Sequence, residues 1–426
     1  MNKSRAIISI LLVFVTILSV AGCGKKAEAP TTTEAAGTTT TVVNDDGSTT
    51  TTTTEPDGST TTTTTNLDGS TTTTTTKPDG TTTTTTKPSG ETTTKPSTET
   101  TTQSPSVTPD TPPTSSIVSA DAKYQSVAGC IVVGTTIYET VGKVSSVVTR
   151  YINMVNKQAD NLAGVANVYC LVIPKNIGIT TELGFQQKVG SKDQKAILDD
   201  LYSRLNSNVK KVEIFDTMFA HRDEYLYFRT DHHWTARGAY YAYTQFTKVA
   251  GKTTHPLSKY TEINCGKFLG YLYTTVNGQN TTVGAKVKAN PDICYAYRPN
   301  ANATMYYGSD EKNAKTKLAI VRDTSSWSIS SKYLAFIGGD QAFCEITNPD
   351  ITDGSSIVVI KESFGNAFVP FLVENYHKVY VIDYRHYPKK SIGSFVKNYG
   401  VQDVLYINNI SAISASSLVG NMEARL

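Results

Sequence analysis

Beyond about residue 120, apolar residues come in short unbroken runs, and before it, apart from Ala6 to Val20, there are almost none. Cys130 to Val133 and Val168 to Ile173 are continuous rather than alternating, as strands buried on both faces of a parallel sheet are. Between them, Tyr138 to Ala163 carries apolar residues at helical spacing. Asp193 to Asn206 predicts an amphipathic helix with Ile197, Leu198, Leu201 and Leu205 on one face. Val212 to Phe215 predicts the next strand, and Thr235 is a good N-cap for a helix reaching about Val249.

From Gly251 to about Asp353 the pattern breaks into Gly, Asn, Thr and Tyr with short β-like pieces, which reads as an insert decorating a sheet. Regularity then returns: strand Ile357 to Ile360, helix Gly365 to Asn375, strand Val379 to Ile382, helix Ser391 to Tyr399, strand Val404 to Ile407. Strands alternating with helices predict an α/β fold, a mostly parallel sheet flanked by helices on both faces. Ligands in such folds sit at the carboxyl ends of strands.

The N-terminal quarter has another character. Lys3 and Arg5, the apolar run to Val20, and Ala21-Gly22-Cys23 read as an export signal covering 1–22. Val20-Ala21-Gly22-Cys23 resembles the bacterial lipobox, which implies a lipid on Cys23 and a membrane-anchored, extracytoplasmic protein on the bacterial surface. The linker, 23–119, is dominated by Thr, Pro, Gly, Ser and Asp. An Asp-Gly-Ser-Thr unit recurs every eleven residues from Asp46, Asp57 and Asp68, and from Asp79 with its Ser lost. With no apolar position in the unit, a disordered Thr-rich stalk is expected. One folded domain, 120–426 with the insert at 251–353, remains.

The net charge of +3 gives no argument for nucleic acid as a partner. The 24 Tyr suit either core packing or glycan stacking. Beyond Cys23, the odd set Cys130, Cys170, Cys265, Cys294 and Cys344 cannot all pair, and none has metal spacing. Cys170 reads as a buried thiol; Cys265 and Cys294 share the insert and could form a disulfide.

Two segments carry candidate chemistry. In Thr230-Asp231-His232-His233-Trp234-Thr235, residues two apart on an extended segment project to one side. Asp231 and His233 can therefore share a site while His232 points away, and Trp234 either walls the pocket or packs in the core. In Lys361-Glu362-Ser363-Phe364-Gly365-Asn366 a serine stands between a strand and a helix. The amides of Phe364 and Gly365 are placed to face an oxyanion there, with Gly365 allowing close approach of a substrate. An acid, an imidazole and a hydroxyl are the parts of a serine nucleophile system. Asp and two His also suit a metal, but no second cluster completes its coordination, so neither metal nor cofactor is expected. Arg385, after a strand, either binds a substrate anion or pairs with Asp383.

The long motif at 230–235 resembles the signature of the DHHW family of exported bacterial proteins. That family is similar to the SGNH-hydrolase-like domains of alginate O-acetyltransferases. The resemblance covers about 125–426. It implies Ser363 as nucleophile, His233 as base and Asp231 as its acid, in a circularly permuted order with the Asp/His pair before the Ser. It further implies a serine esterase or O-acetyltransferase acting on wall or capsular polysaccharide with an acyl donor. Asn366, Asn408 and Asn409 are candidates for the oxyanion Asn of that fold. The alternative is a non-catalytic glycan-binding or surface-structural lipoprotein, separated from the enzyme by the distance between Ser363 and His233.

Overall fold

The computed structural model describes residues 38–43, 49–54, 57–65, 71–79, 81–87 and 116–426. The expected export signal and Cys23 lie outside the described residues. Among those described, no helix is long and apolar enough to cross a membrane. The Thr-rich part and the part from residue 116 belong to separate compact units.

The Thr-rich repeats differ from the expected disorder. Thr38–Val43, Thr49–Thr54, Thr60–Thr65, Thr71–Thr76 and Thr82–Lys87 form a five-stranded antiparallel meander. The eleven-residue period supplies a six-residue strand and a turn, and β-branched Thr favours the pleated backbone. Thr50–Thr64, Thr52–Thr62, Thr61–Thr75 and Thr63–Thr73 hydroxyls pair across strands at 3.0–3.2 Å. Reasoning from missing apolar area overlooked these cross-strand pairs.

The second unit is built on an eight-stranded sheet. Its strands in chain order are β1 (Asn167–Ile173), β2 (Val209–Val212), β3 (Thr304–Gly308), β4 (Thr316–Leu318), β5 (Phe343–Thr347), β6 (Ser356–Lys361), β7 (Lys378–Asp383) and β8 (Asp403–Asn409). The order across the sheet is β2-β1-β8-β6-β7-β5-β3-β4. From β2 to β7 every pairing is parallel, and from β7 to β4 every pairing is antiparallel. The sheet is therefore mixed. The expectation of a mostly parallel sheet holds for five strands and fails for the three that the insert adds. Those three are short, and Thr, Lys and Glu interrupt their apolar residues, so their sequence carries little of the continuous apolar signal.

Two further expectations are corrected. Cys130–Val133 belongs to a separate three-stranded antiparallel sheet with Gln125–Val127 and Thr136–Tyr138. The strand expected at Val212 to Phe215 ends at Val212, and Phe215 opens a short helix.

Alternation along the strands sorts their side chains into two cores. Tyr169, Leu171 and Ile173 of β1 face one core, and Val168, Cys170 and Val172 face the other. The second core is roofed by α1 (Ser145–Asn161), α2 (Gln194–Ser203) and, later in the chain, Ile392–Tyr399. The first is covered by α3 (Ala236–Ala250), whose Ala239, Ala242, Tyr243 and Phe246 form one buried stripe, and by α4 (Gly365–Leu372). Thr235 caps α3 by accepting from the Gly238 amide at 3.3 Å. Parallel β1, β8, β6 and β7 all end at the same edge, at Ile173, Asn409, Lys361 and Asp383.

Candidate active site

Ser363 stands two residues beyond the end of the central strand β6, at the turn into α4. The turn is tied down by Glu362, whose buried carboxylate accepts from the amides of Phe364 (3.1 Å) and Asn409 (2.8 Å). It also lies 3.4 Å from the Ser363 hydroxyl. The end of β8 and the serine turn thereby share one anchor.

The Asp-His-His-Trp segment is a loop closed at its base by an antiparallel bridge between Tyr227 and Trp234. The Phe228 amide donates to the His233 carbonyl at 3.2 Å, and the Thr235 amide to the Leu226 carbonyl at 2.9 Å. Buried Asp292, from the insert strand Asp292–Arg298, accepts from the amides of Arg229 and Thr230 and from the Thr230 hydroxyl. Trp234 is fully buried, and its indole N–H donates to the Phe364 carbonyl at 2.9 Å. It fastens this loop to the serine turn and does not wall a pocket.

Between the two segments runs one line of hydrogen bonds. Asp231 Oδ1 lies 2.6 Å from His233 Nδ1, and His233 Nε2 lies 2.7 Å from Ser363 Oγ. Asp231 accepts two backbone amides besides, from His233 (3.0 Å) and Tyr271 (2.8 Å). The second arrives over Gly270, where a Cβ would meet Asp231 Oδ2 at 2.2 Å, so only glycine fits. Burial alone would raise the Asp231 pKa. The charge and hydrogen bond of His233, then His232 and the Tyr271 amide, hold it instead below the usual carboxylate range. The site thus carries a fixed anion behind an imidazole whose other nitrogen faces a hydroxyl.

His232 does not point away. Its ring centroid is 3.9 Å from that of His233 and within 6.0 Å of those of Tyr271 and Phe364. The two-residue alternation fails because residues 229–233 form a bend, not a strand. Burial first, then the charge of His233, pushes the His232 imidazole down to about 4, against the pull of Asp231 and Glu139. Its folded value lies below the ordinary 6.5. Its stabilising contribution is therefore complete above pH ~6.5 and is lost as pH falls toward ~4. His232→Phe is expected to flatten the urea-midpoint curve across that window, and a curve still parallel to the wild type would count against this assignment.

Phe364 and Gly365 do not present free amides. The first donates to Glu362, the second to the Glu362 carbonyl at 2.9 Å within the turn. The close approach at Gly365 is to Lys361, whose Cβ a Gly365 Cβ would meet at 2.6 Å, and not to a substrate. Arg385 is spent as well: it bonds Asp383 through Nε (2.9 Å) and Nη2 (2.6 Å) and reaches Asp340 at 2.9 Å. Asn366 Nδ2 donates to Asp340, while its Oδ1 is buried without a partner. Asn408 accepts from the Tyr151 hydroxyl, and Asn409 caps the amides of Ser411 and Ala412.

Metal-type donors also cluster, within 4.8 Å of one another, in Asp231/His232/His233 and in Asp340/Asp383/His386. In the first group both His233 nitrogens are engaged in hydrogen bonds, and in the second Asp383 is shared by Lys361 and Arg385. Cys130, Cys170, Cys265, Cys294 and Cys344 are all buried free thiols, so Cys265 and Cys294 do not form the disulfide considered above. They are neighbours on paired strands, with Cys294 opposite Gly266.

Sequence reasoning passed over Tyr333. Its ring lies flat on His233, centroids 3.9 Å apart and planes 10° apart, and its hydroxyl donates to the Ser363 carbonyl at 3.0 Å. A single Tyr in a Ser-rich stretch gives no signal of this.

The family described as "DHHW protein" matches residues 99–382. No curated protein matches the chain. A DHHW family protein from Eubacterium siraeum, known from its crystal structure, is 26% identical, with a TM-score of 0.63 over 72% of this chain and 98% of that one. PatB1 of Bacillus cereus, solved with a sulfonyl adduct, is 15% identical, with a TM-score of 0.54 over 70% of this chain and 97% of that one. The O-acetyltransferase domain of Pseudomonas putida AlgJ is 10% identical, with a TM-score of 0.40 over 68% of this chain and 96% of that one.

Proposed function

The chain belongs to the DHHW family, and on that premise we propose that it is a serine acyl-transfer enzyme, an esterase or O-acetyltransferase of cell-envelope polysaccharide. The observation that carries this reading is the continuous Asp231–His233–Ser363 line at 2.6 and 2.7 Å. A binding module that merely kept the fold would have no need of it.

In the proposed reaction Ser363 Oγ attacks an acyl carbonyl while His233 Nε2 takes its proton. Collapse of the tetrahedral intermediate breaks the ester C–O bond, and His233 returns the proton to the leaving oxygen. A glycan hydroxyl or water then gives its proton to His233 and attacks the acyl-enzyme. The new ester or acid departs, and the proton returns to Ser363. Asp231 accepts the Nδ1–H throughout, which fixes the tautomer and stabilises the imidazolium. That PatB1 was solved with a sulfonyl adduct fits a fold that presents a reactive nucleophile.

Incubation with p-nitrophenyl acetate is expected to acetylate Ser363, seen as an added acetyl mass on its peptide. No acetylation at Ser363 with that donor, together with unchanged glycan acetylation in a deletion strain, would sink the reading.

The site is proposed to act outside the cell, tethered through lipid on Cys23. Cys23→Ala is expected to move the protein out of the membrane fraction. Unchanged processing and membrane association would refute the anchor.

A further inference from the structure

Tyr333 touches both halves of the reacting pair and belongs to neither segment that carries it. It sits in a single 3-10 turn, Lys332–Ala335, inside the insert. The C-terminal end of that turn is tied to residues 320–322 by the Arg322 amide donating to the Ala335 carbonyl at 2.9 Å and the Ile337 amide to the Ile320 carbonyl at 2.8 Å. Its N-terminal end is held by the buried ammonium of Lys332, which donates to the carbonyls of Thr324 (2.7 Å), Ser325 (2.8 Å) and Trp327 (2.8 Å). Three acceptors satisfy all three donors of a lysine ammonium, so its burial leaves none of them unpaired. The Tyr333 ring is further fixed edge-on against Phe336 and Phe228, at 5.1 and 6.3 Å. Burial keeps its phenol protonated, so the hydroxyl acts as a donor.

Both contacts of Tyr333 constrain motions that would break the 2.7 Å bond from His233 Nε2 to Ser363 Oγ. The parallel stack stops the imidazole from tipping out of the plane that contains Asp231 and Ser363. The hydroxyl holds the Ser363 carbonyl, and with it the φ/ψ of the turn that aims the serine side chain. When His233 gains a proton, the ring face also meets a cation, an interaction that the neutral state lacks.

We propose that Tyr333 is a positioning residue for this site, clamping the His233 ring through its face and the Ser363 turn through its hydroxyl. This rests on the acyl-transfer reading above. The test uses the full chain and two readouts: sulfonylation of Ser363 by phenylmethylsulfonyl fluoride, followed by intact mass, and steady-state hydrolysis of p-nitrophenyl acetate. Labelling forms an O–S bond and expels fluoride, so it reports the aim of the serine without requiring acyl turnover.

Tyr333→Phe keeps the stack and loses the hydroxyl; labelling and kcat are expected to fall about 3–10-fold with KM unchanged. Tyr333→Leu loses both contacts, and the fall is expected to approach about 100-fold, the scale of a misplaced reacting group. Recovery of most of that loss by Phe separates a clamp from mere core filling. Wild-type labelling by a folded Tyr333→Leu overturns the proposal. Should that variant not fold, Tyr333→Phe decides alone, and an unchanged rate overturns it. A wild type that sulfonylates at Ser363 but transfers no acetyl group would remove the acyl-transfer reading and leave the clamp to be judged by the variants. A wild type that does not label at Ser363 sinks both.

Discussion

Ser363→Ala is expected to lower kcat for a small acetyl ester by about 10⁴–10⁶-fold while leaving the fold intact, as loss of an activated serine does elsewhere. His233→Ala should fall as far, because without the imidazole the hydroxyl has no acceptor for its proton within bonding distance except Glu362 at 3.4 Å. Asp231→Asn should cost somewhat less, about 10³–10⁴-fold. It keeps the shape but loses the anion that fixes the Nδ1–H tautomer, and it disturbs the bonds from the His233 and Tyr271 amides. The three losses should not add, since each removes the same line of hydrogen bonds. A double variant Ser363→Ala with His233→Ala should therefore be no slower than either single variant, within about threefold. His232→Ala is expected to cost only about tenfold, through lost packing on the His233 ring. Additive losses across the triad, or a Ser363→Ala enzyme with near wild-type turnover, would rule out a nucleophilic serine.

The parts of this arrangement that were legible in the sequence are those that a local signal marks. Continuous apolar runs placed β1, β6, β7 and β8, because a strand buried on both faces has no polar position to interrupt it. Thr235 marked the start of α3 because a capping hydroxyl has to stand immediately before the first turn. Asp231, His233 and Ser363 stood out because the long motif at 230–235, with a later serine between a strand and a helix, resembles the DHHW pattern; each residue type alone has commoner structural roles. What stayed hidden depends on partners distant in sequence. The lone Tyr333 acquires its place from a loop organised by Lys332, and Asp292 from a pairing across the insert. The amides of Phe364 and Gly365 are where a helix start puts them. Whether they are free is decided by the Glu362 side chain and carbonyl, which a strand-then-helix reading ignores. His232 was misplaced by assuming an extended backbone where the chain bends.

Asp383→Ala is expected to be the most destabilising single change near the site, by about 3–5 kcal/mol, because it strands a buried cation. Lys361 and Asp383 are both completely buried, with Nζ 2.9 Å from Oδ2. The same carboxylate takes Arg385 in a two-pronged pair, and Asp340 closes the group at 3.6 Å from Lys361 and 2.9 Å from Arg385. Two cations and two anions balance there, directly beneath the turn that carries Ser363. Burial would raise the Asp383 pKa, but Lys361 and Arg385 override it and bring the value to about 2. The folded value is depressed, so this stabilisation is complete above the ordinary carboxylate value near 4. It is lost as pH falls through about 2. Without Asp383, Lys361 keeps only the longer contact to Asp340. Lys361→Met should cost less, since Asp383 retains Arg385, and combining Lys361→Met with Asp383→Leu should recover part of the loss, as apolar replacement of buried pairs does. Urea unfolding of the three variants with equal m-values would measure this directly. A loss under about 1 kcal/mol for Asp383→Ala would mean that water reaches Lys361 and that the turn is held by Glu362 and Trp234 alone.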